Sequence, residues 1–172
     1  MPRALGDMGL PLHERQRHIA WDIGAMALAQ HLSFSLDAPL FFTNYSRLVI
    51  DCNRPFSAPS MTPEISETTE IPANRGLSEE ERQQRIDTLF RPFADAVSRR
   101  LDRLEGQGKR PFVVGIHSFT PVYFGKPRPW QAGILYRDAV DFAGSLIREF
   151  ASEPQLTIGD NEPYNIHPDE DY

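Results

Sequence analysis

The chain has 172 residues, 40% of them hydrophobic and 24% charged, with a formal net charge of -6 and a pI near 5.3. That composition suits one soluble globular domain spanning 1–172, and its acidic balance argues against nucleic acid or an anionic membrane surface as the main partner. The single cysteine, Cys52, excludes an internal disulfide and fits a reducing compartment. No apolar run approaches the ~20 residues of a membrane span, and the first residues lack a signal-like apolar stretch, so a cytoplasmic location is expected.

Residues 13–35 read as one helix, with Trp21, Ala25, Leu28 and Leu32 forming an apolar stripe. Two buried strands are expected next, Pro39 to Asn44 and Arg47 to Asp51. Pro55 to Leu77 holds four prolines and no period, which predicts a long loop suited to a lid. Ser78 and Glu81 form a Ser-x-x-Glu capping box that opens a helix running to about Glu105, with a kink expected at Pro92. Arg110 to Ile116 reads as a buried strand centred on Phe112-Val113-Val114. A strand at Ala132 to Tyr136, a helix capped by Asp138 and a short strand at Leu156 to Ile158 follow. Alternating strands and long helices predict an α/β layer fold with a parallel or mixed sheet.

The run Arg47-Leu48-Val49-Ile50-Asp51-Cys52-Asn53-Arg54 is the densest functional signal. An apolar stretch that ends in a carboxylate, an amide and a guanidinium suits a binding edge, because guanidinium pairs bidentately with carboxylate. A structural ion pair of Asp51 with Arg47 or Arg54 explains the same residues. Cys52 inside this run reads as a buried, unreactive thiol. His117 stands at a predicted strand end before a Ser-Phe-Thr-Pro turn, where it either lines a crevice or supports the turn. His18 and Asp22 are four apart on the predicted helix, spaced for one metal ion or for a surface hydrogen bond. Arg128 with Trp130 lies in a Gly/Pro-rich loop, where the arginine either contacts an anionic substrate or is an exposed loop charge, and Asn161 with Glu162 and Tyr164 is a polar cluster after a strand that also reads as plain turn chemistry. A phosphate-binding glycine loop, a Gly-x-Ser-x-Gly elbow and His-Glu-x-x-His are all absent from the sequence.

Six segments in order resemble the N-formylglutamate amidohydrolase family: 18–25 (HIAWDIGA), 45–54 (YSRLVIDCNR), 71–77 (IPANRGL), 116–121 (IHSFTP), 128–130 (RPW) and 159–164 (GDNEPY). The resemblance implies a three-layer α/β/α fold with a mixed sheet, similar to the zinc-dependent exopeptidases. It implies metal-dependent hydrolysis of the amide of a small N-formyl or N-acyl acidic amino acid, with zinc, or another divalent metal, as cofactor. Carried over by position, Asp22 and His117 are the metal ligands, and Arg47, Asn53, Arg54, Ser118, Arg128, Asn161 and Tyr164 the substrate contacts. A further zinc histidine and the general base are expected in strands lying before Met1 and beyond Tyr172, so the chain is expected to be truncated at both ends. A non-catalytic carboxylate-binding domain, an inactive truncated homologue and a peptidoglycan-type amidase are the competing expectations.

Overall fold

Leu48, Val49 and Ile50 are 1%, 0% and 3% exposed, and three consecutive buried side chains set the plan of the molecule around them. The structure, a computed structural model, describes residues 1–164 and 166. The chain forms two units, Met1–Phe119 and Thr120–Tyr172.

In the first unit, Leu48 and Val49 pack with Met8, Leu10, Ala20 and Ile71, while Ile50 packs with Met61, Ile86 and Phe90. Leu89 touches both clusters. The expected strand from Arg47 to Asp51 is instead a turn, closed by the Val49 amide donating to the Ser46 carbonyl (3.0 Å). A strand in a layer alternates its side chains between two faces, whereas this turn sends three neighbours inward together. The segment 39–44 also forms no strand.

The predicted helix over 13–35 is broken. Helix α1 is Leu12–Arg15 and α2 is Ala25–Ser35, with Gly24 in the left-handed region (φ 82°) as the α2 N-cap. The intervening turn buries Ile19 and Ala20, and it leaves Trp21 48% exposed, so the apolar stripe through Trp21 and Leu28 does not face a core. His18 and Asp22 therefore do not share a helix face.

The segment 55–77 is not a lid. It carries Met61 and Ile71, both fully buried, and a hairpin of β1 (Ile65–Ser66) and β2 (Thr69–Glu70). Helix α3 (Glu79–Arg85) opens with the predicted capping box: the Glu81 amide donates to Ser78 Oγ, and the Ser78 amide donates to the Glu81 carboxylate. Pro92 has no N–H for the preceding turn. The helix answers with a π-helical turn at Ile86–Phe90 before α4 (Arg91–Gly106) resumes, in place of a simple kink.

The stretch from Arg110 to Ile116 forms no strand, and Phe112, Val113 and Val114 are 67%, 69% and 54% exposed. Its sequence has strand character, but a strand exists only through its neighbours, and none pairs with it among the described residues.

In the second unit, β3 (Val122–Tyr123) and β4 (Lys126–Pro127) make an antiparallel hairpin. Strand β5 (Ala132–Ile134) runs parallel to β6 (Ile158–Asp160), and α5 (Val140–Phe150) connects them as a βαβ unit. The N-cap of α5 is Ala139, not Asp138, whose carboxylate accepts instead from Arg137. After β6 the chain folds back so that the Glu162 carbonyl lies against Gly133 and Gly159, leaving no room for a β-carbon at either. The molecule is of α/β class. Its described strands pair into three two-stranded sheets.

Candidate functional site

The first unit brings Asp22 and His117, 95 residues apart in sequence, into contact. His117 Nδ1 lies 2.6 Å from Asp22 Oδ2. The other Asp22 oxygen faces Arg47 Nη1 at 3.3 Å. Arg47 then donates twice to Asp51 Oδ2, from Nη2 at 2.7 Å and from Nε at 3.1 Å. Arg54 Nε approaches the same oxygen at 3.9 Å. The result is a continuous polar line, His117–Asp22–Arg47–Asp51–Arg54, in which carboxylates alternate with arginines beyond the imidazole. Only His117, its side chain 52% exposed, opens widely to solvent; Asp22 and Asp51 are 21% and 12% exposed.

The turn chemistry of the 46–54 segment builds this line. Asp51 Oδ1 accepts from the Asn53 amide (3.0 Å), and the Arg54 amide donates to the Asp51 carbonyl (3.2 Å). Asn53 and Arg54 are thereby placed half-buried just beyond the carboxylate. The structural ion pair that competed with a substrate grip in the sequence is present: Asp51 holds Arg47. Ser118 sits half-buried beside His117. His18 lies elsewhere, its Nε2 3.0 Å from Glu67 Oε1, which engages it in a separate cluster with Arg17.

Burial raises the Asp22 pKa, but the His117 hydrogen bond and the charges of Arg47 and His117 outweigh it, and the carboxyl is held below its ordinary value. It is therefore a carboxylate at neutral pH. Cys52 is different: burial and the neighbouring Asp51 push its thiol up to about 11, which leaves it protonated and unreactive.

Two further residues, not marked out by the sequence, support the line from beneath. Asn74, 1% exposed, donates from Nδ2 to the carbonyls of Leu48 (2.8 Å) and Pro63 (2.7 Å). Its Oδ1 accepts from Arg85 Nη1 (2.7 Å), and Arg85 also donates to the carbonyls of Val49 (2.9 Å) and Ala73 (3.0 Å). Burial pushes the Arg85 pKa down, with Glu81 opposing it. This buried lattice pins the carbonyls of the turn that carries Arg47 and Asp51. Asn74 lies within the 71–77 motif, which is its only sequence signal; Arg85 has none.

In the second unit, Arg128 Nη1 donates to Tyr164 Oη (3.0 Å) and to the Thr120 carbonyl (3.3 Å). Asn161, at φ 52°, ties the sheet end: its amide donates to the Ile134 carbonyl and its Oδ1 accepts from the Tyr136 amide. Its side chain already has this structural task, as the turn reading expected.

An imidazole and a carboxylate are ordinary zinc ligands, and a structural or hydrolytic zinc usually takes three or four protein donors. Among the described residues no group of three His, Cys, Asp or Glu side chains converges. The Asp22–His117 pair fits as two donors of such a set. Two donors on one tetrahedral ion with ~2.0–2.1 Å bonds stand about 3.3 Å apart, so the pair would part by under about 1 Å to receive one. No helix among the described residues is long and apolar enough to cross a membrane.

Comparison with known proteins adds two findings. A family model described as N-formylglutamate amidohydrolase matches residues 1–170. Among solved structures, the crystal structure of a gene product from Agrobacterium tumefaciens matches with a TM-score of 0.91 and 41% sequence identity, over 96% of this chain and 65% of that one. The chain thus spans just under two thirds of that relative's length. No curated protein matches.

Proposed function

The chain belongs to the N-formylglutamate amidohydrolase family, and from that premise we propose that it is the core of a metal-dependent hydrolase acting on the amide of an N-formyl or N-acyl acidic amino acid. With N-formylglutamate, water adds across the formyl C–N bond and the products are formate and glutamate. The observation that carries this reading is the Asp22–His117 contact at 2.6 Å beside the Arg47–Asp51–Arg54 array.

In this reading Asp22 and His117 hold a zinc ion, together with a donor from outside the described residues. Bound zinc would polarise the amide carbonyl and lower the pKa of a water molecule. The chain's own residues do the rest of the positioning. Asp22, kept ionised by His117 and Arg47, stands 2.6 Å from His117 Nδ1, so the two donor atoms already lie side by side, and the proton between them would leave when the ion binds. Arg47 ties that carboxylate to Asp51, and the alternating line holds each charge against its neighbour. Asn53 and Arg54, at the open end of the turn, receive a substrate carboxylate, with Ser118 contributing a hydroxyl beside His117. Arg128, Asn161 and Tyr164 are the second unit's candidates for contact with the acidic substrate. The general base lies outside the described residues. A three-layer sheet of the zinc-dependent exopeptidase kind, and a cytoplasmic location, complete the proposal for the whole protein.

The test is formate release from N-formylglutamate by protein expressed from its whole open reading frame. The reading expects release that a chelator stops, that added zinc restores and that His117→Ala removes. Chelator-insensitive binding of N-formylglutamate without any formate would instead establish a non-catalytic carboxylate-binding domain.

A further inference from the structure

Tryptophan gains more from burial than most side chains, yet Trp21 is exposed and faces no core. Its ring is nonetheless held, because Nε1 donates to the Gln16 carbonyl at 3.2 Å. That bond satisfies the one polar atom of the indole, so the rest of the ring offers apolar contact. Trp21, Leu12 and Tyr45 are the apolar walls of a cavity of about 370 Å³ within the first unit. Pockets for small ligands run from ~300 to 1,000 Å³, and this one suits a ligand of a single ring. The Ser46 hydroxyl donates to the Ala20 carbonyl at 2.6 Å and ties the turn of Tyr45 to that of Trp21. Asp22 and His117 do not line the cavity; it adjoins them only through Trp21 and Ser46, the chain neighbours of Asp22 and Arg47.

Arg15 lines the same cavity and supplies its charge. It is half-buried, and its Nε donates to the carbonyl of the core residue Leu10 at 3.1 Å, which anchors the guanidinium. Other arginines of the unit are matched: Arg17, Arg47 and Arg75 each meet a carboxylate at 2.6–2.7 Å. Arg15 meets no carboxylate among the described residues, and its two Nη groups have no partner there. Those two groups form a fork that matches the two oxygens of a planar carboxylate. An arginine anchored in advance also loses less freedom when it binds. We propose that this cavity is a binding site for a small carboxylate with an aromatic or other apolar body, its oxygens on Arg15 and its body against Trp21 and Tyr45. The site uses neither a metal nor the line from His117 to Arg54, so it stands apart from the hydrolase reading.

The experiment titrates phenylacetate, phenylacetamide and acetate by calorimetry, with a chelator present, into protein expressed from its whole open reading frame. Phenylacetate binds with a dissociation constant of about 1 mM or tighter, the range expected of a ligand of ~10 heavy atoms. Phenylacetamide and acetate each bind at least about fivefold more weakly. Arg15→Gln brings the ratio of the phenylacetamide and phenylacetate constants to about one. Trp21→Leu weakens both phenyl ligands about three- to tenfold and keeps that ratio. In Trp130→Phe, where Trp21 is the one tryptophan left in these 172 residues, phenylacetate changes the emission with the constant found by calorimetry. A merely structural Arg15 would weaken both phenyl ligands together and leave the ratio unchanged. The proposal is overturned by wild-type protein that binds no phenylacetate at about 10 mM or does not prefer it to the amide. An unchanged ratio in Arg15→Gln, or Trp21 emission unmoved at saturation, overturns it equally. Should Arg15→Gln not fold, Arg15→Lys decides, since it keeps the charge and loses the fork: a ratio lowered at least about threefold supports the site, and a smaller change overturns it.

Discussion

Replacing Asn74 with alanine tests whether the floor beneath the charged line is as demanding as its geometry implies. The side chain is 1% exposed and makes three hydrogen bonds between 2.7 and 2.8 Å. Alanine leaves the Leu48 and Pro63 carbonyls without this donor and removes one acceptor from a guanidinium whose residue is 7% exposed. Two neutral bonds at about 1 kcal/mol each and one charge-assisted bond at about 1.5–3 kcal/mol give about 3.5–5 kcal/mol. Against a domain stability of about 5–15 kcal/mol, that is a large fraction of the whole. Urea denaturation read by circular dichroism would show the midpoint falling with the slope unchanged. A loss under about 1 kcal/mol would mean that the turn at 46–50 does not depend on these bonds, and the account of how Arg47 and Asp51 are held would fail.

Three other outcomes follow from the same geometry. The folded-state pKa of Asp22 is lowered, so its ionisation stabilises the fold fully above the ordinary carboxylate pKa, and that contribution is lost as pH falls through the lowered value. Asp22→Asn is therefore less stable than wild type at pH 7, and the gap narrows below about pH 4; a gap constant down to pH 2.5 contradicts the assignment. Gly159→Ala places a β-carbon 2.6 Å from the Glu162 carbonyl oxygen, which costs about 1–3 kcal/mol by overpacking; a thermal midpoint equal to wild type would refute that close approach. The Cys52 thiol, half-buried and with its pKa pushed up to about 11, reacts slowly with iodoacetamide at pH 7.5 and accelerates only as pH nears that value; fast labelling at neutral pH would show that the pKa is not raised.

The sequence made some of this legible through signals that act locally. The Ser78–Glu81 box marked the start of α3 because capping is decided within four residues. The helix expected to run to about Glu105 ends at Gly106, and the strand expected from Ala132 to Tyr136 is present as β5 over its first three residues. The polar density of 47–54 identified the charged line, and Asp22 and His117 were both singled out before any geometry brought them together. What failed depended on partners distant in sequence. An apolar run such as Leu48-Val49-Ile50 is equally compatible with a strand covered on both faces and with a buried turn, because all three side chains leave water in either. The run at 112–114 has the composition of a strand, yet strand identity belongs to a pair of segments, and no described segment pairs with it. Helical spacing over 13–35 hid the break at Gly24, whose left-handed backbone no periodicity records. Arg85 was invisible as a core residue, since a charged residue on a helix ordinarily faces water and this one instead meets three oxygens inside.

The central claim is that Asp22 and His117 are two ligands of one metal ion. Zinc content per chain, measured by plasma mass spectrometry after dialysis against limiting zinc, tests it on wild type, Asp22→Asn and His117→Ala proteins. The account predicts about one zinc in the wild type and an affinity lowered by more than about tenfold in each variant, with the fold retained by circular dichroism. Equal zinc content in all three proteins, or none in any, would contradict it.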